Sequence, residues 1–328
     1  MKILKRRTIA KEMKGIIALS CGSKNGNCET YIRAAAKGAG EFGVETEIIR
    51  ATELKVLPCR GCGACSPRGK QAHTGKCVLK DDVEWILQKT VLSDAALIIA
   101  APVFYLRPNG YFMCICERMH PLMFNHTEIL KRSKVGAIIS HGGSPNDWAC
   151  LSLASLNIWT QHFIRLVDQV HIGGGEPKDP LSRAEELGRN VARAIAMPIE
   201  NVNYVGEETP VSCPSCHCDI MQASQDSPHI VCPVCWVHGE ISFDNGKMKV
   251  KWDEWESQYP RFSELGVFEH MAIGTRGERL RFESSKLRFS QLEGSSRENR
   301  MEEMRKRQQE VNKIYSSYGT IIEPSEKN

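Results

Sequence analysis

Gly15-Ile16-Ile17-Ala18-Leu19-Ser20-Cys21-Gly22-Ser23-Lys24-Asn25-Gly26-Asn27-Cys28-Glu29-Thr30 is a short apolar run that gives way at once to a small polar loop containing two glycines. Residues 15–19 show no polar–apolar alternation, which predicts a strand buried on both faces of a parallel sheet. The alanine-rich segment 31–40 predicts a helix, so the order is strand, small polar loop, helix. Backbone N–H groups at such a junction, aided by the helix dipole, bind phosphate without a fixed charge. The loop has neither the GxGxxG dinucleotide spacing nor the Walker lysine pattern, so a mononucleotide phosphate such as that of FMN fits better than NAD or ATP. The alternative is an ordinary turn between strand and helix.

The same alternation continues along the chain. Further strands are expected at 44–50, 95–101, 134–140 and 166–172, with helices at 81–91, 110–123, 148–163 and 181–196. The first of these helices is opened by Asp81-Asp82, where acidic residues suit the positive end of the dipole. Five strands, each followed by a crossover long enough for a helix, specify an α/β fold with a doubly wound parallel sheet in the order 2-1-3-4-5. In that order the ends of strands one and three flank the crevice where ligands bind. Those ends carry the 20–30 loop and Pro102-Val103-Phe104-Tyr105, a rigid bend with two aromatics that makes a wall for a flat ring. His141-Gly142-Gly143, after strand four, brings backbone donors close to the ring's polar edge. Core packing of Phe104 and Tyr105, and a loop-capping role for His141, are the competing readings.

The 328 residues allow a main domain of 1–200 with a cysteine loop at 59–77, a small metal module at 205–252 and an extension at 253–328 ending in a charged helix near 295–317. Apolar residues make up 41% and charged residues 25%, enough for a full core in a soluble protein. The net charge of +4 argues for neither nucleic acid nor an anionic membrane as partner. No segment reaches the roughly 18 apolar residues of a membrane span. Residues 15–19 are too short for a signal-peptide core, so a cytoplasmic location is expected.

Nine of the fourteen cysteines fall in two clusters, and close CxxC spacings favour metal or redox use over disulfides. Cys213-x2-Cys216-x15-Cys232-x2-Cys235 has the two-knuckle spacing of a tetrahedral four-sulfur site, as in a zinc ribbon. Rubredoxin-like iron shares that geometry and would add an electron relay. His217 and Cys218 are spare ligands. In the first cluster, Cys59-x2-Cys62-x2-Cys65 with Cys77 supplies the four thiols that a cubane cluster requires. Loop thiols or a redox pair are the alternative.

The ordered set Gly22-Ser23-Lys24-Asn25-Gly26-Asn27, Cys59-x2-Cys62-x2-Cys65, Thr74-Gly75-Lys76-Cys77, Asp81-Asp82, Ala101-Pro102-Val103-Phe104-Tyr105 and Glu117-Arg118 resembles the NADPH-dependent FMN reductase family, and within it the iron-sulfur flavoproteins. The likeness covers about residues 14–198. It implies a flavodoxin-like fold that binds FMN. The phosphate loop would use Ser20, Gly22, Ser23, Lys24, Asn25, Asn27 and Thr30, with lysine where the family carries arginine. The ring would meet Pro102, Val103, Phe104, Tyr105, His141, Gly142 and Gly143. Cys59, Cys62, Cys65 and Cys77 match the positions that hold a [4Fe-4S] cluster, although the Cys65 to Cys77 gap is longer than in the family.

The function this implies is an FMN-dependent iron-sulfur oxidoreductase passing electrons between NAD(P)H or a ferredoxin-type donor and a small-molecule or flavin acceptor. Tyr105 and His141 are the candidates for moving a proton. A homodimer or larger assembly is expected by the same resemblance. Two other classes are an electron carrier serving a partner oxidoreductase, and a zinc-ribbon interaction protein on a flavodoxin-like scaffold.

Overall fold

The computed structural model describes residues 13, 15–65, 75–143, 147–267, 306 and 309. The chain divides into two compact units, Met1–Phe268 and Glu269–Asn328. Of the second, Lys306 and Gln309 are described, both helical and exposed, and the rest of the expected charged helix lies outside the described residues.

The first unit is built on parallel strands β1 (Ile16–Ser20), β2 (Thr46–Arg50), β3 (Ala96–Phe104), β4 (Lys134–His141) and β5 (Ile164–Ile172). They pair in the order β2-β1-β3-β4-β5, the order expected from the alternation. A sixth strand of two residues, Arg107–Pro108, folds back antiparallel on the end of β3 and was not expected. β1 is buried throughout and β3 over its first six residues, because helices cover both faces.

Side chains alternate across the sheet with period two. Ile16, Ala18, Ala96, Ile98, Ala100, Val135, Ala137 and Ile139 meet α1 (Asn27–Gly40) and α6 (Pro180–Ile195) in one core. Many of these residues are small, so the two helices lie close to the sheet and to each other. A Cβ on Gly38 would run into the backbone of Glu185, and one on Gly188 into that of Ala35. A second apolar group stacks Phe112, Trp159 and Phe163 edge to face, with ring centroids 5.7 and 5.1 Å apart.

The helices between β2 and β5 are shorter than their apolar periodicity suggests. The helix expected at 81–91 is α2 (Val83–Leu87) followed by one wide turn, Gln88–Leu92. Residues 110–123 break into α3 (Gly110–Glu117) and α4 (His120–Asn125), with Pro121 in the first turn of α4. Proline there suits a helix start and not a helix interior. α5 covers Ser152–Thr160, inside the expected 148–163.

After α6 the chain forms an antiparallel sheet of β6 (Gln222–Ala223), β7 (His229–Val231), β8 (His238–Asp244) and β9 (Lys247–Trp252), followed by α7 (Glu254–Gln258). The β8–β9 hairpin pairs Asp244 with Lys247 across its turn. Asn245 and Gly246 both take positive φ, 51° and 74°, as a two-residue hairpin of matching twist requires. Among the described residues no helix is long and apolar enough to cross a membrane.

Candidate functional site

Ser20 ends β1 beside Ala100 of β3, and the chain then turns through residues 21–26 into α1. The turn closes through Gly26 N–H to Ser23 O at 3.0 Å, with Asn25 left-handed (φ 57°). Gly26 is the cap of α1 and brings no side-chain acceptor to its first amides. A Cβ at Gly26 would lie 2.6 Å from Ser23 Oγ, and one at Gly22 2.9 Å from Cys28 Cβ, so the loop is drawn as tight as glycine allows. Ser20 Oγ is buried and has no hydrogen-bond partner. Lys24 extends outward to Glu53 at 3.5 Å.

The loop is braced from beneath by Glu29, which is 1% exposed. Its carboxylate accepts from Asn25 N at 3.1 Å, from Arg33 at 2.6 and 3.0 Å, and from Arg50 at 2.7 and 2.9 Å. The Arg50 hydrogen bonds, opposed by burial and joined by those of Asn25 and Arg33, hold it far below the usual carboxylate range. Sequence reasoning passed over this cluster, because a Glu29–Arg50 contact across 21 positions leaves no local signal.

On the other wall, Phe104 is 60% and Tyr105 94% exposed. Tyr105 and Leu106 both have positive φ (49° and 71°), and the chain returns so that Asn109 N–H meets Pro102 O at 3.1 Å. Asn109 also donates its side-chain amide to Cys21 O at 2.7 Å, tying this wall to the β1 loop. His141, at the end of β4, lies 2.9 Å through Nδ1 from Ile172 O and 2.8 Å through Nε2 from Asn27 Nδ2. A carbonyl only accepts, so Nδ1 carries the proton and Nε2 accepts from Asn27. Both ring nitrogens are engaged, and His141 reads as the residue that orients Asn27 rather than a proton donor. Gly142 and Gly143 continue the loop at positive φ, 108° and 69°. The start of α1 and the end of β4 therefore share a hydrogen bond at one crevice.

The cysteine loop leaves the same end of the sheet, after β2. Cys59 and Cys62 are exposed; Cys65 and Cys77 are half-buried. Gly61 and Gly63 are left-handed (φ 61° and 74°), which turns the three thiols around a short arc. Burial, then the nearby Cys77, Cys59 and Cys62, push the Cys65 thiol up. The four sulfurs do not close to single-ion distance, and a four-iron cubane holds its thiolates further apart than one ion does. Residues 66–74 of the loop lie outside the described residues.

Both arms of that loop are anchored on one buried ion pair. Arg118 donates to Asp81 at 2.8 and 3.0 Å and to Leu57 O at 3.0 Å, while Asp81 accepts from Leu57 N at 2.9 Å. Burial opposes the Asp81 charge, but the Arg118 and Leu57 hydrogen bonds hold its carboxyl below the usual range. Arg118 also lies against Cys77, with which it lines a cavity of about 140 Å³.

The second cysteine group is already gathered. The sulfurs of Cys213, Cys216, Cys232 and Cys235 lie within 4.8 Å of one another, and all four residues are fully buried. Cys216 and Cys232 Sγ are 3.5 Å apart. Four sulfurs at the usual zinc–sulfur distance of about 2.3 Å stand about 3.8 Å apart in a tetrahedron, so this donor set fits one ion. Each knuckle closes through an N–H to carbonyl bond of 2.8 Å, His217 to Cys213 and Trp236 to Cys232, at positive φ. His217 tolerates that backbone because Tyr204 stacks on its ring at 3.7 Å and Gln169 of β5 donates to its carbonyl at 2.8 Å.

Residues 15–176 match the family described as NADPH-dependent FMN reductase. An iron-sulfur flavoprotein of Methanosarcina thermophila is 32% identical over 153 residues, covering 46% of this chain and 75% of that protein. One of Archaeoglobus fulgidus is 29% identical over 186 residues, covering 56% of this chain and 80% of that protein. A flavone reductase shares the fold at a TM-score of 0.65 with 21% identity, over 95% of this chain and 100% of that one. The residues quoted for the resemblance occupy the matched span, and the chain belongs to the NADPH-dependent FMN reductase family, among its iron-sulfur flavoproteins.

Proposed function

We propose that this FMN-dependent oxidoreductase passes electrons between NAD(P)H or a ferredoxin-type donor and a small-molecule or flavin acceptor, with FMN in the crevice between β1 and β3. The observation that carries the reading is the uncapped start of α1, joined through Asn27 and His141 to the loop after β4. The α1 amides with Ser20, Gly22, Ser23, Lys24, Asn25, Asn27 and Thr30 would hold the phosphate. The orphaned Ser20 hydroxyl and the absence of room for a Cβ at Gly26 fit such a group. Pro102, Val103, Phe104, Tyr105, Gly142 and Gly143 would face the ring. Cys59, Cys62, Cys65 and Cys77 would hold a [4Fe-4S] cluster. The closed four-cysteine site would hold structural zinc, since fully buried sulfurs leave no open position.

FMN, when bound, takes up two electrons together and releases them singly, whereas an iron-sulfur cluster handles one at a time. The chain's own part is to fix the phosphate, orient Asn27 through His141, and keep the Arg118-anchored loop at the same end of the sheet. A homodimer covering the exposed Phe104, Tyr105 and Trp148 belongs to this reading, and a monomeric mass of the loaded protein by sedimentation would remove it.

Protein purified without oxygen should carry about one flavin, about four irons and about one zinc per chain. A colourless protein containing zinc alone would leave only the interaction-protein reading. His141→Ala should weaken FMN binding about tenfold in a fluorescence-quenching titration, the loss of one useful hydrogen bond. An unchanged affinity would discard the positioning role. Oxidation of NADH or NADPH without a protein partner distinguishes this reading from that of an electron carrier.

A further inference from the structure

Arg118 lies one residue past α3 and is 3% exposed. Nη1 donates to Leu57 O and Asp81 Oδ2, and Nη2 to Asp81 Oδ1, so the plane of the guanidinium is fixed. The third nitrogen, Nε, is buried and has no hydrogen-bond partner. Arginine stays charged, and a charged donor left buried and unpaired is costly. Solvent does not reach this atom, so water does not serve it. Native folds keep such an atom where a bound group completes the pair.

Cys77 shares its surroundings. Arg118 and Cys77 line one cavity of about 140 Å³, together with the apolar side chains of Val83, Leu87 and Leu122. The arm that carries Cys77 is pinned on both sides of the sulfur. Asn125 Nδ2 donates to Gly75 O at 2.5 Å before it, and Asp81 holds Arg118 after it. Burial opposes the Arg118 charge, while Asp81 and Cys77 support it. A neutral thiol is a weak acceptor. An iron-bound thiolate carries negative charge, and hydrogen bonds to a charged acceptor are the stronger kind. Cys59 already has a donor of its own, Gly61 N–H at 3.4 Å.

We infer that Arg118 Nε–H donates to the Cys77 sulfur of the loaded cluster and raises the cluster's reduction potential. This rests on the cluster reading above. The sign follows from charge. Reduction makes the cluster more negative, so a hydrogen bond to one of its sulfurs stabilises the reduced form more than the oxidised one. The guanidinium that ties Leu57 to Asp81 thereby also sets how readily the cluster takes an electron.

The test uses full-length protein loaded with iron and sulfide without oxygen, labelled with ¹⁵N at arginine Nε alone. Arg60→Lys removes the arginine next to Cys59. Pulsed EPR of the fully reduced Arg60→Lys protein should show the cluster spin coupled to ¹⁵N, and adding Arg118→Lys should abolish that coupling. Lysine keeps the charge opposite Asp81 but has no Nε–H. Its cluster should therefore be about tenfold harder to reduce, a fall of about 59 mV for one electron. About four irons per chain without ¹⁵N coupling would overturn the inference, as would an unchanged potential in Arg118→Lys. If Arg118→Lys holds no iron, the coupling in the Arg60→Lys protein decides alone. A wild type that takes up no iron would instead overturn the cluster reading itself.

Discussion

Arg118→Met should lower the thermal midpoint by about 10 °C and empty the cysteine loop of iron while leaving FMN bound. The substitution leaves the fully buried Asp81 carboxylate with only backbone donors among the described residues, the N–H groups of Leu57 and Val83. Breaking a buried ion pair from one side costs about 3–5 kcal/mol, because the stranded charge has lost its water and its partner. Asp81→Asn in the same chain should restore part of that loss, since no charge is then stranded. The pH dependence has a definite sign. Asp81 titrates below the usual carboxylate range in the folded protein, so its contribution is complete above about pH 3.9, the ordinary aspartate value, and is lost as the pH falls below it. The gap between wild type and Arg118→Met should therefore be widest near neutral pH and narrow as the pH falls toward about 3.9, because burial without Arg118 makes the stranded carboxylate take up its proton sooner. A variant that melts with the wild type and keeps its iron would remove Arg118 as the anchor of the loop.

Gly188→Ala is expected to cost about 3 kcal/mol and to weaken FMN binding, although residue 188 is remote in sequence from the crevice. The new methyl would meet the carbonyl of Ala35, which is backbone inside α1 and cannot swing away as a side chain could. α1 must then shift, and it carries Asn27 and the 20–26 loop at its N-terminus. Gly40→Ala is the control. No atom lies within 4 Å of its Cβ position, so it should be neutral or stabilise by up to about 1 kcal/mol. Should Gly188→Ala melt and bind like Gly40→Ala, the close α1–α6 crossing would not govern the phosphate loop.

The sheet was legible because its strands are nearly uniform apolar runs separated by crossovers of helical length, and a parallel sheet has few ways to connect them. The 2-1-3-4-5 order followed, as did the meeting of the 20–30 loop with the loop after β3. The α3–α4 break was less legible, since an apolar stripe runs through both and only Pro121 marks the interruption. Glu29–Arg50 and Asp81–Arg118 were not legible at all. A salt bridge between residues 21 or 37 positions apart depends on which loops the topology brings together.

The opening stretch was sufficient to predict a strand, a tight polar loop and a helix, because hydrophobic burial and backbone geometry act over neighbouring residues. CxxC spacing was sufficient in the same way to predict that Cys213, Cys216, Cys232 and Cys235 converge, a knuckle being a local turn. Tertiary structure alone decided what surrounds these parts: the carboxylate beneath the loop and the His141 bond to Asn27. Those contacts come from opposed charges and polar groups that lost water on burial and had to find partners wherever the fold placed them.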